Sequence, residues 1–188
     1  MGKIHMMPTK NISSKICFVG DGGVGKTSLI GRYVYDMFDN KYLKTIGTKV
    51  TRKEILLDFP AKNVKIKMNA MIWDIMGQKA FRKLLHEAYF KGAQGILGVC
   101  SCTEKASLAN LNEWIDSVIE VVGEVPVVIL ANKKDLKDDA QFCEEELREI
   151  AAELNAKSIF TSAKTGENVP KAFLTIAKEM IKNQLDIY

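Results

Sequence analysis

The sequence predicts an α/β domain in which helices cover both faces of a mainly parallel sheet with one antiparallel edge strand. Three observations carry this. Short apolar runs alternate with amphipathic stretches of helical period along most of the 188 residues. A glycine-rich loop joins the first such run to the first such helix, and one pair of runs is separated by a tight turn with no helix between. A chain of this length fits one domain, and its 47% apolar content supplies a core without disulfides or structural metal.

Met1 to Ser14 is polar and irregular, has no apolar centre suited to a secretory signal, and is expected to be a mobile arm or a remnant of an expression vector. The domain is expected over 15–184, with 185–188 as a short tail. Lys15-Ile16-Cys17-Phe18-Val19 is an apolar run that stops at glycine, followed by a helix from Lys26 to Phe38 with Leu29, Ile30, Tyr33, Val34 and Met37 at helical spacing. Val50 to Asp58 and Val64 to Ile72 flank the turn-like Phe59-Pro60-Ala61-Lys62-Asn63 and form a hairpin. In its second strand Val64, Ile66, Met68, Ala70 and Ile72 alternate with Lys65, Lys67 and Asn69, so one face is wet and the strand lies near an edge.

Gly95 to Cys100 reads as a buried strand, and Lys105 to Val122 as a helix with Leu108, Leu111, Ile115, Val118, Ile119 and Val122 on one face. Pro126 to Ala131 is the next strand. Glu144 to Asn155 is a helix whose acidic start suits the helix dipole. Ser158 to Thr161 is a last short strand, and Asn168 is expected to cap a final helix with Pro170 in its first turn and Val169, Phe173, Ile176 and Met180 inward.

Composition excludes several classes of function. Lys and Arg number 27 against 23 acidic residues, scattered along the chain, too even a balance for nucleic acid or a membrane surface. Cys17, Cys100, Cys102 and Cys143 include no Cys-x-x-Cys pair and read as reduced thiols of a cytoplasmic protein. The only histidines, His5 and His86, rule out a histidine metal cluster and read as surface residues. No apolar run reaches the roughly 18 residues of a membrane span. Position 6 is Met where myristoylation needs Ser or Thr, and Asn183-Gln184-Leu185-Asp186-Ile187-Tyr188 offers no cysteine for prenylation. The expectation is a monomer without a membrane anchor of its own in this chain, reaching membranes only through partners or a tail absent here.

The chemistry begins at Gly20-Asp21-Gly22-Gly23-Val24-Gly25-Lys26-Thr27, which has the spacing of the phosphate-binding P-loop and sits between a strand and a helix, as that motif requires. Backbone N–H groups aimed at phosphate oxygens need glycine, because a Cβ would block the approach or the backbone angles. Gly22, Gly23, Val24, Gly25, Lys26, Thr27 and Ser28 are the candidate contacts. Lys26 supplies charge to the β- and γ-phosphates, the helix adds its positive end, and the Thr27 hydroxyl suits Mg²⁺.

Asn132-Lys133-Lys134-Asp135 follows directly on a buried strand, where such sheets bind ligands. A carboxylate such as Asp135 accepts two hydrogen bonds from guanine N1–H and the 2-amino group; adenine has no such donor pair. Thr161-Ser162-Ala163-Lys164 follows the last strand and can close over the base, with the Ala163 N–H toward O6. Trp73-Asp74-Ile75-Met76-Gly77-Gln78 ends the alternating strand: Asp74 can hold Mg²⁺ through water, Gly77 can give an N–H to the γ-phosphate, and Gln78 can orient the attacking water. Thr45, in Lys44-Thr45-Ile46-Gly47, has a hydroxyl that can reach the same Mg²⁺.

With these motifs in this order, the chain resembles the Ras superfamily of small GTPases, most of all its Rab branch, over nearly all of 15–182. Gly20-Asp21, Thr45-Ile46-Gly47, Phe81-Arg82 and Tyr89-Phe90-Lys91-Gly92-Ala93 are similar to Rab motifs. The resemblance implies a P-loop G-domain with a six-stranded sheet and five helices, GTP and GDP as ligands, and a switch that orders on the γ-phosphate. It also implies effector, exchange-factor and activating proteins at the switch regions, Phe38 edge-on against the guanine, and the Lys133 stem along its face.

The pattern departs in places. Ile75-Met76 stands where the family has Thr-Ala, Thr48-Lys49-Val50 where Rab proteins have Val-Asp-Phe, and Lys79-Ala80 where an acidic residue follows the glutamine. The segment between Thr45 and Asp74 also exceeds the family's usual spacing. Three readings stay open: a slow GTP-hydrolysing switch, a GTP-dependent interaction module with little or no hydrolysis because of Met76, and a nucleoside or nucleotide kinase, which has no need of the Asn132 to Asp135 loop.

Overall fold

The computed structural model describes residues 8–39, 45, 47–78 and 86–185, with side chains throughout except at 86 and 183–185. His5, Phe81-Arg82, Lys44, Ile46 and the tail 186–188 lie outside the described residues, as does the side chain of His86. Six strands, β1 (Thr9–Val19), β2 (Thr48–Phe59), β3 (Val64–Ile75), β4 (Gly95–Ser101), β5 (Val127–Asn132) and β6 (Lys157–Phe160), form one sheet in the order β2-β3-β1-β4-β5-β6. β2 runs antiparallel to β3, and every other neighbouring pair is parallel. The antiparallel strand is therefore at an edge, as the hairpin pattern predicts.

The helices are α1 (Lys26–Tyr35), α2 (His86–Phe90), α3 (Lys105–Ala109), α4 (Leu111–Val122), α5 (Glu144–Glu153) and α6 (Val169–Leu185). α3 and α4 together span the single helix expected over 105–122. On one face of the sheet, Ile16, Phe18, Met68 and Leu97 pack with Leu29 and Ile30 of α1 and Phe173 and Ile176 of α6. Tyr33 stacks on Phe173 with ring centroids 3.7 Å apart, tying α1 to α6. On the other face, Cys17, Val19, Ile96 and Ile129 meet Trp114, Ile115 and Val118 of α4 and Leu147 of α5. Burying each large apolar side chain contributes about 1.5–3 kcal/mol, so two filled layers hold the strand ends in fixed relative positions.

Four expectations need correction. Residues 9–14 are strand: Thr9 to Ser14 run parallel beside Lys65 to Ala70 of β3, recruited by backbone pairing that their polar composition conceals. α1 ends at Tyr35, because Asp36 turns left-handed at φ 51° and donates its N–H to Arg32 O, which leaves Met37 68% exposed. The helix expected over 105–122 breaks at Asn110, between α3 and α4. Asn168, left-handed at φ 57°, receives the Ala172 N–H on its carbonyl, while its side-chain amide donates to Phe160 O instead of capping α6.

Candidate functional site

The loops singled out in the sequence emerge together at the carboxyl ends of β1, β3, β5 and β6, where the parallel strands stop and their side of the sheet opens. Gly20 leaves β1 at φ 136°, and a Cβ there would stand 2.1 Å from Val99 O; Gly25, at φ 99°, would clash with Asn132 Nδ2 at 2.2 Å. Only glycine permits this loop path. No side chain caps α1 and no acidic residue occupies its first turn, so the positive end of the helix is left to an anion.

Lys26 is buried, and its Nζ donates to Gly20 O at 2.6 Å and Asp21 O at 2.8 Å, curling back over the loop. Burial pushes its pKa down to about 8, against the pull of the Asp74 and Asp21 charges. Thr27 Oγ1 donates to Asp74 Oδ2 at 2.5 Å and lies 3.0 Å from Thr45 Oγ1. Asp74 is 2% exposed. Burial raises its pKa, opposed by the Thr27 bond and the Lys26 charge, and its Oδ1 has no hydrogen-bond partner.

An orphaned buried carboxylate oxygen beside two hydroxyls is a donor set for a hard cation such as Mg²⁺, which takes few protein ligands and completes its shell with water and phosphate. Among the described residues there is no cluster of three or more His, Cys, Asp or Glu suited to a metal. The residues present fit the ion.

Beyond Asp74, the chain passes Met76, 8% exposed, whose N–H donates to Gly47 O at 3.2 Å and so joins the end of β3 to the segment that carries Thr45. Gly77 then lies against the phosphate loop: a Cβ on it would be 2.4 Å from Asp21 C and Gly22 N. Gln78 follows, half-buried.

At the other end, Asn132 closes β5 and is 1% exposed. Its Nδ2 donates to Val24 O at 2.9 Å, and its Oδ1 accepts the Ala163 N–H at 3.1 Å and the Thr161 hydroxyl at 3.4 Å. Asn132 therefore staples the phosphate loop to the loop after β6, and the Ala163 N–H that sequence reasoning aims at a base oxygen is donated to Asn132 instead. Lys133 is left-handed at φ 65°. Ser162, fully buried, donates its hydroxyl to Asp135 Oδ1 at 2.6 Å and orients that carboxylate from behind.

A cavity of about 730 Å³ joins the two ends. It is lined by Gly23, Gly25, Lys26, Thr27 and Ser28 on one side and by Phe38, Asn132, Lys133, Asp135, Ala163 and Lys164 on the other. Its size falls in the range of small-molecule sites. Val24 and Ser162, both fully buried, lie outside its lining, as do Gly22, Thr45, Asp74, Gly77 and Gln78. Sequence reasoning misses Tyr35, Met37 and Leu136, which also line it and are exposed apolar side chains at its mouth. It also misses Arg32, whose guanidinium donates to Ala163 O at 2.9 Å and Lys164 O at 2.8 Å and fixes the loop after β6. An arginine two turns into α1 carries no local signal of a partner 131 residues away.

Fold and cavity together define a P-loop nucleotide-binding domain of the α/β class. The chain matches the Ras family over residues 15–182. It is 37% identical to GTP-binding protein ypt2 of Schizosaccharomyces pombe over 173 residues, 92% of this chain and 83% of that one. To Ras-related protein Rab-8A of Pongo abelii it is 36% identical over 182 residues, covering 96% and 84% of the two chains. To human Ras-related protein Rab-8B it is 36% identical over 177 residues, 94% and 82% of the two. The chain belongs to the Ras family and is a Rab-like small GTPase. Among the described residues, no helix is long and apolar enough to cross a membrane.

Proposed function

We propose that this chain is a guanine-nucleotide switch that binds GTP and GDP with Mg²⁺ and hydrolyses GTP slowly. The observation that carries the reading is the single cavity running from Lys26 and Thr27 at an uncapped helix start to Asp135, held by Ser162, at the far end. The backbone from Gly22 to Ser28 cradles the phosphates and Lys26 neutralises them. Asp135 accepts the two guanine donors, Phe38 and the Lys133 stem flank the base, and Asn132, Ser162, Ala163 and Lys164 hold the base loop. Thr27, Thr45 and, through water, Asp74 would hold Mg²⁺, which would supply further charge neutralisation to the phosphates. Gly77 offers its N–H to the terminal phosphate, Gln78 orients the attacking water, and Thr45 closes on the site in the triphosphate state.

Slow turnover is the expectation because, among the described residues, Arg32 is committed to the base loop, Arg148 pairs with Glu144, and Arg52 lies in β2 opposite Met71. Without an arginine at the transferring phosphate, turnover of roughly 10⁻⁴ to 10⁻³ per second is expected, as in unassisted Ras-type hydrolysis. Activating, exchange and effector proteins would act at the segments around Thr45 and Gly77-Gln78. A second reading, an interaction module with little or no hydrolysis, is favoured by Met76, a buried side chain next to Gly77 where the family has alanine. Single-turnover hydrolysis separates the two. The switch reading expects slow hydrolysis, loss in Gln78→Leu and a gain in Met76→Ala. If all three proteins bind GTP and none hydrolyses it, even with activating proteins of Rab type, the second reading replaces the first.

A further inference from the structure

Asp21 is an acidic residue inside a loop whose task is to bind anions. Its backbone takes part in the site directly, since Asp21 O accepts from Lys26 Nζ and its carbonyl carbon lies where a Cβ on Gly77 would strike. A free carboxylate at this position would repel the phosphates, because like charges in a partly desolvated cleft interact far more strongly than in water. The side chain is nonetheless absent from the cavity lining and only 9% exposed.

What holds it lies on the other side of the loop. Asn110 Nδ2 donates to Asp21 Oδ2 at 2.6 Å, and Trp114 Nε1 donates to Asp21 Oδ1 at 2.9 Å. Each carboxylate oxygen thus has its own N–H donor. The two donors sit four residues apart, on the face that meets β1. Asn110 is also where the helical column from Lys105 to Val122 breaks, with φ −76° and ψ −9°. Trp114 is 1% exposed and fixed by the core, so it cannot follow the loop if the loop moves.

We propose that Asn110 and Trp114 are positioning residues for nucleotide binding: together they turn the Asp21 carboxylate away from the phosphates and anchor the start of the phosphate loop to the α3–α4 junction. The inference rests on the guanine-nucleotide reading above. It makes the break in the helix functional, since the kink presents the Asn110 amide to a loop 89 residues earlier in the chain. Neutral N–H donors satisfy both carboxylate oxygens without placing a further charge beside the phosphate loop.

The test is a near-isosteric exchange, read as dissociation and equilibrium binding of a fluorescent GDP. Asn110→Asp sets two carboxylates against each other and should release the loop, weakening GDP at least about tenfold. Combining it with Asp21→Asn restores a donor–acceptor pair in the reverse sense and should recover affinity to within about threefold of wild type. A merely structural role for Asn110 predicts no such rescue. Trp114→Phe, which keeps the packing and removes one donor, should give a smaller loss that vanishes in the Asp21→Ala background. Thermal unfolding followed by circular dichroism confirms that each variant is folded. If wild type binds GDP and Asn110→Asp binds equally well, or the double variant stays as weak as the single one, the inference is overturned. If wild type itself does not bind GDP, the guanine-nucleotide reading fails instead.

Discussion

Replacing Asn132 by alanine removes a side chain that joins the phosphate loop to the loop after β6. Three hydrogen bonds go with it: to Val24 O at 2.9 Å, from Ala163 N at 3.1 Å and from Thr161 Oγ1 at 3.4 Å. Val24 and Thr161 are fully buried and Ala163 is 3% exposed, so water does not readily replace the lost partner. Each buried group left unpaired costs about 1–3 kcal/mol. With the 3.4 Å bond discounted as weak, the two remaining groups total roughly 2–6 kcal/mol. A domain of this kind has only about 5–15 kcal/mol of stability in all, so the midpoint of thermal unfolding should fall by roughly 4–24 °C. The assay is urea unfolding of the nucleotide-stripped protein, because bound nucleotide adds its own stabilisation. The midpoint should drop with the slope unchanged. A loss below about 1 kcal/mol would show that these contacts do not hold the two loops together.

Asp135→Asn keeps an oxygen for the Ser162 hydroxyl but replaces a charged acceptor pair by one acceptor and one donor. GDP should weaken by about 10²- to 10³-fold and xanthosine diphosphate should gain; an unchanged preference in competition binding would remove Asp135 from base recognition. Gly77→Ala places a Cβ 2.4 Å from backbone atoms of Asp21 and Gly22. Backbone cannot give as a flexible side chain can, so single-turnover hydrolysis should slow by at least about tenfold while GDP still binds; an undiminished rate would refute the contact's role. Burial raises the thiol of Cys17 to about 12 and that of Cys102 to about 11, and raises Cys100 as well, whereas Cys143 is exposed. Thiolate appears only as pH approaches these raised values, so at pH 8 iodoacetamide should label the folded protein once, at Cys143, and all 4 cysteines after denaturation. A second adduct on the folded protein at a comparable rate would contradict that burial.

What the sequence reveals and conceals follows from the range of each interaction. The strand–loop–helix around Gly20 to Ser28 and the hairpin around Pro60 are local patterns, and both are found where expected. Residues 9–14 escape notice because a strand paired beside β3 needs backbone groups and carries only Ile12 as an apolar residue. Met37 fits the period of α1 but is exposed at the cavity mouth, since Asp36 has already turned the chain out of the helix. Asn110 reads as an ordinary helical position until Asp21 is brought beside it, and Arg32 as a surface charge until the loop after β6 closes on it. Ala163 is found in the expected loop, but the partner of its N–H is a side chain that sequence reasoning assigns to the base. Residue types at fixed spacing are legible; the tertiary contacts that bind one motif to another are not.

The measurement that bears most directly on the guanine-nucleotide reading is a titration of the stripped protein, with Mg²⁺, against GTP, GDP and ATP. GTP and GDP should compete for one site, and ATP, which cannot satisfy a carboxylate placed to accept two hydrogen bonds, should bind more than about 10³-fold more weakly. ATP affinity within about tenfold of GTP would mean that Asp135 does not read the base, and the cavity would then be a phosphate site without guanine selectivity.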